Sequence, residues 1–486
     1  MSSYFSDLAQ QYIDGEWRPG TGSWDVIDFN PYDDEKLASI TVATVDEVDQ
    51  AYRAAARAQK QWAETNPYTR RAVFERALRL IEDREQEIAD LIIAELGGTR
   101  VKAGFELHLA KEFLRESIHL ALRPEGRILP SPADGKENRV YRVPVGVVGV
   151  ISPFNFPFLL SLKSVAPALA LGNGVVLKPH QNTPIAGGTL IAKIFEDAGL
   201  PGGLLNVVVT DIAEIGDAFL EHPVPKVISF TGSDAVGRHV ATVCAKNFKR
   251  SVLELGGNSA LVVLDDADID YAVDAAVFSR FVHQGQVCMA ANRVLVDASV
   301  ADEFTEKFVA KVRTLKTGDP RDPQTVIGPV INSQQAAALS GTVEQALAEG
   351  ATALVRGATE GNLVEPSVLT DVPAGSALLQ QEVFGPVVFL IRFDGEEEAV
   401  RIVNDTPYGL SGAVHTGDIE RGVAFAKRID TGMFHVNDGT VHDEPLVPFG
   451  GEKHSGIGRL NGETTLEAFT TVKWISVQHG RSGFPF

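Results

Sequence analysis

The chain has 486 residues, too many for one ordinary hydrophobic core, so two or three domains are expected. Its 44% hydrophobic and 22% charged residues are the balance of a globular protein, which excludes a disordered or fibrous chain. A formal net charge of −20 repels phosphate backbones and anionic lipid, so neither nucleic acid nor a membrane surface is an expected partner.

Residues 1–7 carry no basic region followed by an apolar run, so no signal peptide is expected. Thr44-Val45-Asp46-Glu47 forms a capping box that predicts a helix through Ala63. A second helical pattern runs over 69–96 and stops at Gly97-Gly98, and a third covers 101–122. Residues 123–144 are punctuated by proline and glycine, and 139–143 alternate like a strand, which suggests an arm. The most apolar stretch, 145–177, is broken by Asn155, Lys163 and prolines, so it reads as core; a membrane helix needs about 20 mostly apolar residues.

From Gly146 short apolar strands alternate with helices. Strands are expected at 147–151, 174–177, 205–209, 226–230 and 251–253, with helices at 185–198 and 235–245. That alternation predicts an α/β fold with a parallel, doubly wound sheet. A second αβ series starts near Ser259 and continues past Val436, and 470–477 reads as a strand paired with the arm near residue 141. The only cysteines, Cys244 and Cys288, make no disulfide framework and point to a reducing, cytoplasmic compartment. No cluster with metal-ligand spacing is visible, so a metal-independent reaction is expected.

Several segments carry chemistry. Ser152-Pro153-Phe154-Asn155-Phe156-Pro157 follows a buried strand; its Asn either offers an amide to a carbonyl oxygen or caps the next helix. Lys178-Pro179-His180-Gln181 follows another strand, and its lysine either reaches a nucleotide or lies on the surface. Phe230-Thr231-Gly232-Ser233 joins a strand to a helix, where glycine lets the backbone approach a pyrophosphate. The spacing is not GxGxxG, so a plain junction stays equally open. Cys288, after Gly285-Gln286-Val287, is either a nucleophile or a small buried hydrophobe. Glu254 in Leu253-Glu254-Leu255-Gly256-Gly257 is a carboxylate able to activate water.

Taken in this order, from Tyr12-Ile13-Asp14-Gly15-Glu16-Trp17 to the C-terminal strand, the segments resemble the aldehyde dehydrogenase superfamily. The most specific matches are Glu254-Leu255-Gly256-Gly257 and Gly285-Gln286-Val287-Cys288. The resemblance implies a Rossmann-type cofactor-binding domain from 1–122 and 145–256, and an α/β catalytic domain at 257–456. It also implies a small β oligomerisation arm with the C-terminal strand, 123–144 and 465–486, and hence a homodimer or homotetramer. The tail 480–486 is expected either on a neighbouring subunit or frayed.

By the same resemblance Cys288 is the nucleophile, Asn155 the oxyanion donor together with the Cys288 backbone N–H, and Glu254 the general base. The cofactor is NAD or NADP. Lys178 and Ser233 fall at positions for the adenosine ribose and pyrophosphate, Glu382 at that for the nicotinamide ribose, and Phe384 beside the nicotinamide. Ile151, Ser152, Pro153, Phe154, His180, Gln181, Gly216, Phe230, Thr231, Gly232, Leu255 and Gly256 complete the expected cofactor site. The aldehyde is expected against Phe156, Leu160, Val287, Met289 and Phe449.

Three positions depart from the family pattern. Phe154 stands where many relatives have Trp. Gln181 replaces a Glu that binds the ribose 2′-hydroxyl in NAD-preferring relatives, which leaves NADP open. Asp211 replaces a usual Gly, for which only a local loop change is expected, and Cys244 is read as structural. Val441-His442-Asp443-Glu444-Pro445 resembles a loop of the subgroup that oxidises benzaldehyde, vanillin and salicylaldehyde, so an aromatic aldehyde is expected. The rival readings are an aliphatic or semialdehyde dehydrogenase of the same mechanism, a CoA-acylating enzyme, and an inactive structural relative.

Overall fold

The computed structural model describes residues 7–486; residues 1–6, on which the signal-peptide expectation rests, lie outside the described residues. Among the described residues no helix is long and apolar enough to cross a membrane.

The helix Val45–Glu64 begins as its capping box requires: the Thr44 backbone N–H donates to the Glu47 carboxylate at 3.0 Å. The helix expected over 69–96 is instead two, Pro67–Asp83 and Glu85–Leu96. Arg84 between them leaves helical geometry at φ −114° and ψ 18°, and the bend lets both halves pack on the helix Arg100–Leu120. Gly97 at φ +70° ends the second half, a conformation glycine adopts without a Cβ clash.

Five strands form the parallel centre of an eight-stranded sheet, in the order Leu205–Val207, Gly174–Lys178, Val147–Ile151, Val227–Thr231 and Arg250–Glu254. Helices cover both faces, so these strands are buried almost throughout and read as continuous apolar runs. The order reverses between Val147–Ile151 and Val227–Thr231, and a crevice opens beyond the carboxyl ends of such a pair.

The strand Arg250–Glu254 leads, through residues 255–258, straight into Ser259–Val263 of a second sheet. That sheet has seven strands, parallel except for the edge strand Thr352–Val355. The carboxyl edge of the first sheet therefore faces the amino edge of the second. Away from both, Thr470–Gln478 pairs antiparallel with Lys136–Pro144, with Lys473 opposite Tyr141, as the sequence pattern predicts. Trp474 stands exposed on this ribbon, and Ile128 on the strand Arg127–Leu129 that pairs with its other edge.

Candidate active site

A cavity of about 510 Å3 lies where the two sheet edges meet. One wall is made of strand ends. Ser152 to Asn155 follow Val147–Ile151, Lys178 ends its strand, and Thr231 to Ser233 follow Val227–Thr231. Ser233 caps the helix Asp234–Lys246, which turns its first backbone N–H groups towards the cavity, a ready site for anionic groups. A Cβ on Gly232 would sit 2.5 Å from the Phe230 ring, so only glycine fits there.

Polar groups on this wall lack protein partners. Ser152 Oγ is buried with no hydrogen bond, and Lys178 makes no hydrogen bond or ion pair among the described residues. Burial lowers the Lys178 pKa, and the Asp211 charge counteracts it. Burial also pushes His180 down to about 4, with Lys178 lowering it further, so the imidazole is neutral at pH 7. Unpartnered donors beside a helix N-terminus in a largely apolar cavity fit a dinucleotide.

The facing wall is a loop under backbone strain. His283, Gln284 and Gly285 are successively left-handed at φ +51°, +54° and +73°. Each non-glycine residue in that region costs on the order of 1–3 kcal/mol, so the surroundings must hold it. Gln284 Nε2 donates to Pro329 O at 2.9 Å, and Gln286 Oε1 accepts from Ile331 N at 3.0 Å. Buried Arg280 donates to Asn292 Oδ1, to Val383 O at 2.7 Å and to Gly385 O, binding this loop to the one that carries Glu382 and Phe384. A Cβ on Gly257 would lie 2.3 Å from Cys288 O, so glycine lets the thiol-bearing turn close against the strand end of Glu254.

Asn155 is fixed from two sides. Its Nδ2 donates to Gln286 O at 2.9 Å. The helix Pro157–Ala170 that follows is anchored by buried Glu106, which accepts from Phe158 N at 2.9 Å and Leu159 N at 3.1 Å. The Cys288 backbone N–H has no acceptor among the described residues. Asn155, Cys288 and Glu254 thus line one cavity, with two amide donors beside the thiol.

The electrostatics follow from burial. Both Glu254 carboxylate oxygens are buried without a partner. Burial raises that carboxyl to about 8, Lys163 lowers it, Asp443 raises it and Arg459 lowers it. Glu382 Oε1 accepts from Gly257 N at 3.1 Å, and burial raises its pKa to about 7 against that bond. Burial lifts the Cys288 thiol to about 12, and the Glu382 and Glu254 charges oppose ionisation further. A carboxyl near 8 beside a protonated thiol is suited to take up and release protons around neutral pH.

Of the residues named from sequence for the cofactor, all but Gly216 line this cavity. Gly216 lies at φ +52° after a short helix, with open space around it. Of the aldehyde positions only Leu160 lines the cavity. Phe156, Val287, Met289 and Phe449 are buried; the Phe156 ring packs on Phe105 and His283, and the Phe449 ring covers the Lys163 ammonium at 3.6 Å. Asp211 does more than reshape a loop: it caps a helical turn through Ala213 N at 2.8 Å and lines the cavity with Lys178 and His180. Cys244 is buried, and burial holds its thiol at about 11, as for a structural cysteine. Ile212, Val236 and Gln335 also line the cavity without any local sequence signal, and Gln335 Nε2 donates to Phe384 O at 2.9 Å. Among the described residues no three His, Cys, Asp or Glu side chains gather to hold a metal ion.

The chain is similar to known proteins along almost its whole length. The Aldehyde dehydrogenase family pattern matches residues 17–475. A benzaldehyde dehydrogenase of Bacillus subtilis is 60% identical over 99% of both chains. A vanillin dehydrogenase of Corynebacterium glutamicum is 49% identical over 97% of this chain and 98% of its own. A crystal structure of an NAD-dependent benzaldehyde dehydrogenase from Corynebacterium glutamicum superposes with a TM-score of 0.89 at 46% identity, covering 97% and 98% of the two chains.

Proposed function

Since the chain belongs to the aldehyde dehydrogenase family, we propose that it oxidises an aromatic aldehyde of the benzaldehyde or vanillin kind to the carboxylic acid. Oxidation of an aldehyde with NAD or NADP is the reaction of that family. The observation that carries the residue roles is the convergence of Cys288, Asn155 and Glu254 on the cavity that Glu382 and Phe384 also line.

Cys288 gives up its thiol proton to solvent, and the Sγ thiolate adds to the aldehyde carbon to form a tetrahedral thiohemiacetal oxyanion. The charge that develops on its oxygen is met by Asn155 Nδ2 and the Cys288 backbone N–H, donors already in place before reaction. NAD(P), which Lys178, Ser233, Glu382 and Phe384 would hold, would supply the hydride acceptor for oxidation of the adduct to the thioester level. Glu254 then takes a proton from water, the water oxygen attacks the thioester carbon, and Sγ leaves as the acid is released. A carboxyl near 8 does this only in its ionised form, so the hydrolytic step rises with pH towards that value. In this reading the first sheet serves the cofactor and the second carries the nucleophile.

We infer that NAD is the preferred dinucleotide. Gln181 alone would tolerate a 2′-phosphate, but Asp211 places a carboxylate beside Lys178 and His180, and His180 is neutral. The exposed apolar residues of the Lys136–Pro144 and Thr470–Gln478 ribbon support a homodimer or homotetramer. Light scattering of the purified chain checks this. Two free thiols support a cytoplasmic location.

The test is reduced-nicotinamide formation with benzaldehyde and with vanillin, with and without CoA. The proposal expects turnover without CoA that Cys288→Ala abolishes. Turnover only with aliphatic aldehydes would overturn the substrate class, and a strict need for CoA would move the chain to the acylating branch.

A further inference from the structure

Lys163 is the one cation of the helix Pro157–Ala170 and is almost wholly buried, its side chain 3% exposed. Its ammonium pairs at 2.6 Å with Asp443, whose side chain is 7% exposed and which comes from the loop before Phe449. Asn461 Nδ2 donates to the second Asp443 oxygen at 2.8 Å and to Glu444 O at 2.9 Å. The ammonium also lies 3.6 Å from the Phe449 ring and 4.9 Å from that of Phe113. A burial of two charges so complete is a doubtful gain for stability, since an apolar pair of similar volume serves as well.

The pair has a direct path to the reacting groups. Phe449, stacked on Lys163, precedes Gly450, where a Cβ would stand 3.0 Å from Glu254 Oε1. The same Cβ would stand 2.7 Å from Arg459 Cδ, and Arg459 Nη1 donates to Gly451 O at 2.9 Å. The segment 449–451 therefore bridges the buried ion pair and the Glu254 carboxylate. No other part of the described mechanism uses Lys163 or Asp443.

We propose that Lys163 and Asp443 form a positioning pair for Glu254: they clamp the 441–449 loop onto the helix Pro157–Ala170 and set the charge that Glu254 meets when it takes a proton from water. The proposal rests on the reading of Glu254 as the base. The charged and titratable groups facing Glu254 are Lys163 from the helix, Asp443 from the loop, Arg459 from the segment beyond Gly458, and the Cys288 thiol. Lys163 and Arg459 favour the ionised carboxylate and Asp443 opposes it, while burial opposes it most. The two members of the ion pair thus pull Glu254 in opposite directions, so removing either one alone shifts it with a defined sign.

The test is the pH dependence of acyl-enzyme decay. The enzyme is acylated with benzaldehyde and NAD, quenched at intervals and read by intact mass, for wild type, Lys163→Met, Asp443→Asn, the double variant Lys163→Met/Asp443→Leu, and Glu254→Gln. In wild type the acid limb is expected at about 8. It moves to higher pH in Lys163→Met and to lower pH in Asp443→Asn, each by at least about half a unit, since nearby charges shift a carboxyl by roughly 1–3 units. The double variant, which keeps a packed apolar core if a single variant fails to fold, has its limb between those of the two singles. Shifts of the two singles in the same direction, an unmoved limb in both singles while Glu254→Gln blocks decay, or a double-variant limb outside the range the singles span, overturn the proposal. Decay of Glu254→Gln at the wild-type rate removes Glu254 as the base, a separate failure of the reading beneath it.

Discussion

The wall of the cavity proposed for the dinucleotide is assembled from strand ends and one helix N-terminus of a single sheet, whereas the wall that holds Cys288 hangs on a loop with three successive left-handed residues. The first gets its shape from topology, because a parallel sheet whose strand order reverses opens a crevice there. The second gets its shape from buried polar side chains that reach across the chain: Arg280 to the 383–385 loop, Gln286 to Ile331, and Glu106 to the start of the helix after Asn155. A chain of this kind can vary its cofactor wall by exchanging exposed residues, but its catalytic wall is sensitive to residues that never touch substrate.

The comparison can be broken from the catalytic side first. Cys288→Ala is expected to leave turnover below roughly 10⁻⁴ of wild type, as for other lost nucleophiles, while thermal unfolding barely changes. If activity persisted, another group would be the nucleophile. Glu106→Ala should cost about 3–5 kcal/mol of stability, because it strands the fully buried Lys102 ammonium that Glu106 pairs with and uncaps two backbone N–H groups. A denaturant titration checks this, and an unchanged midpoint would show that the helix after Asn155 needs no such anchor.

If Asn155 is one of two oxyanion donors, as proposed, Asn155→Ala is expected to lower kcat by about 10²–10³ with little effect on the affinity for NAD, seen by steady-state kinetics and cofactor titration. The smallest effect lies on the cofactor wall. Asp211→Asn should raise kcat/KM for NADP relative to NAD by about tenfold, in line with removing one like charge worth roughly 1.4 kcal/mol. An unchanged ratio would mean that Gln181 and its neighbours set the preference without Asp211.

The same contrast explains what the sequence could reveal. Strands such as Val147–Ile151 and Val227–Thr231 are short apolar runs between turn residues, and the residues just after them follow by topology. That Cys288 and Glu254 meet in one cavity was legible through motif and resemblance together. The aldehyde side was not: Phe156 and Phe449 sit at the expected positions along the chain, yet their rings turn onto Lys102 and Lys163 rather than into the cavity. The partners that rotate them lie 54 and 286 residues away, and no local period records such contacts. The break at Arg84 was hidden for a similar reason, since the apolar period runs on through it while packing against Arg100–Leu120 bends the chain.

The central claim is that the thiol of Cys288 carries the substrate and the carboxylate of Glu254 releases it. It is tested most directly by intact-mass analysis of Glu254→Gln mixed with benzaldehyde and NAD without CoA. The account predicts one reduced nicotinamide per subunit, then arrest with a benzoyl group that peptide mapping finds on Cys288. Sustained turnover by this variant, or a benzoyl group on any other residue, would contradict it.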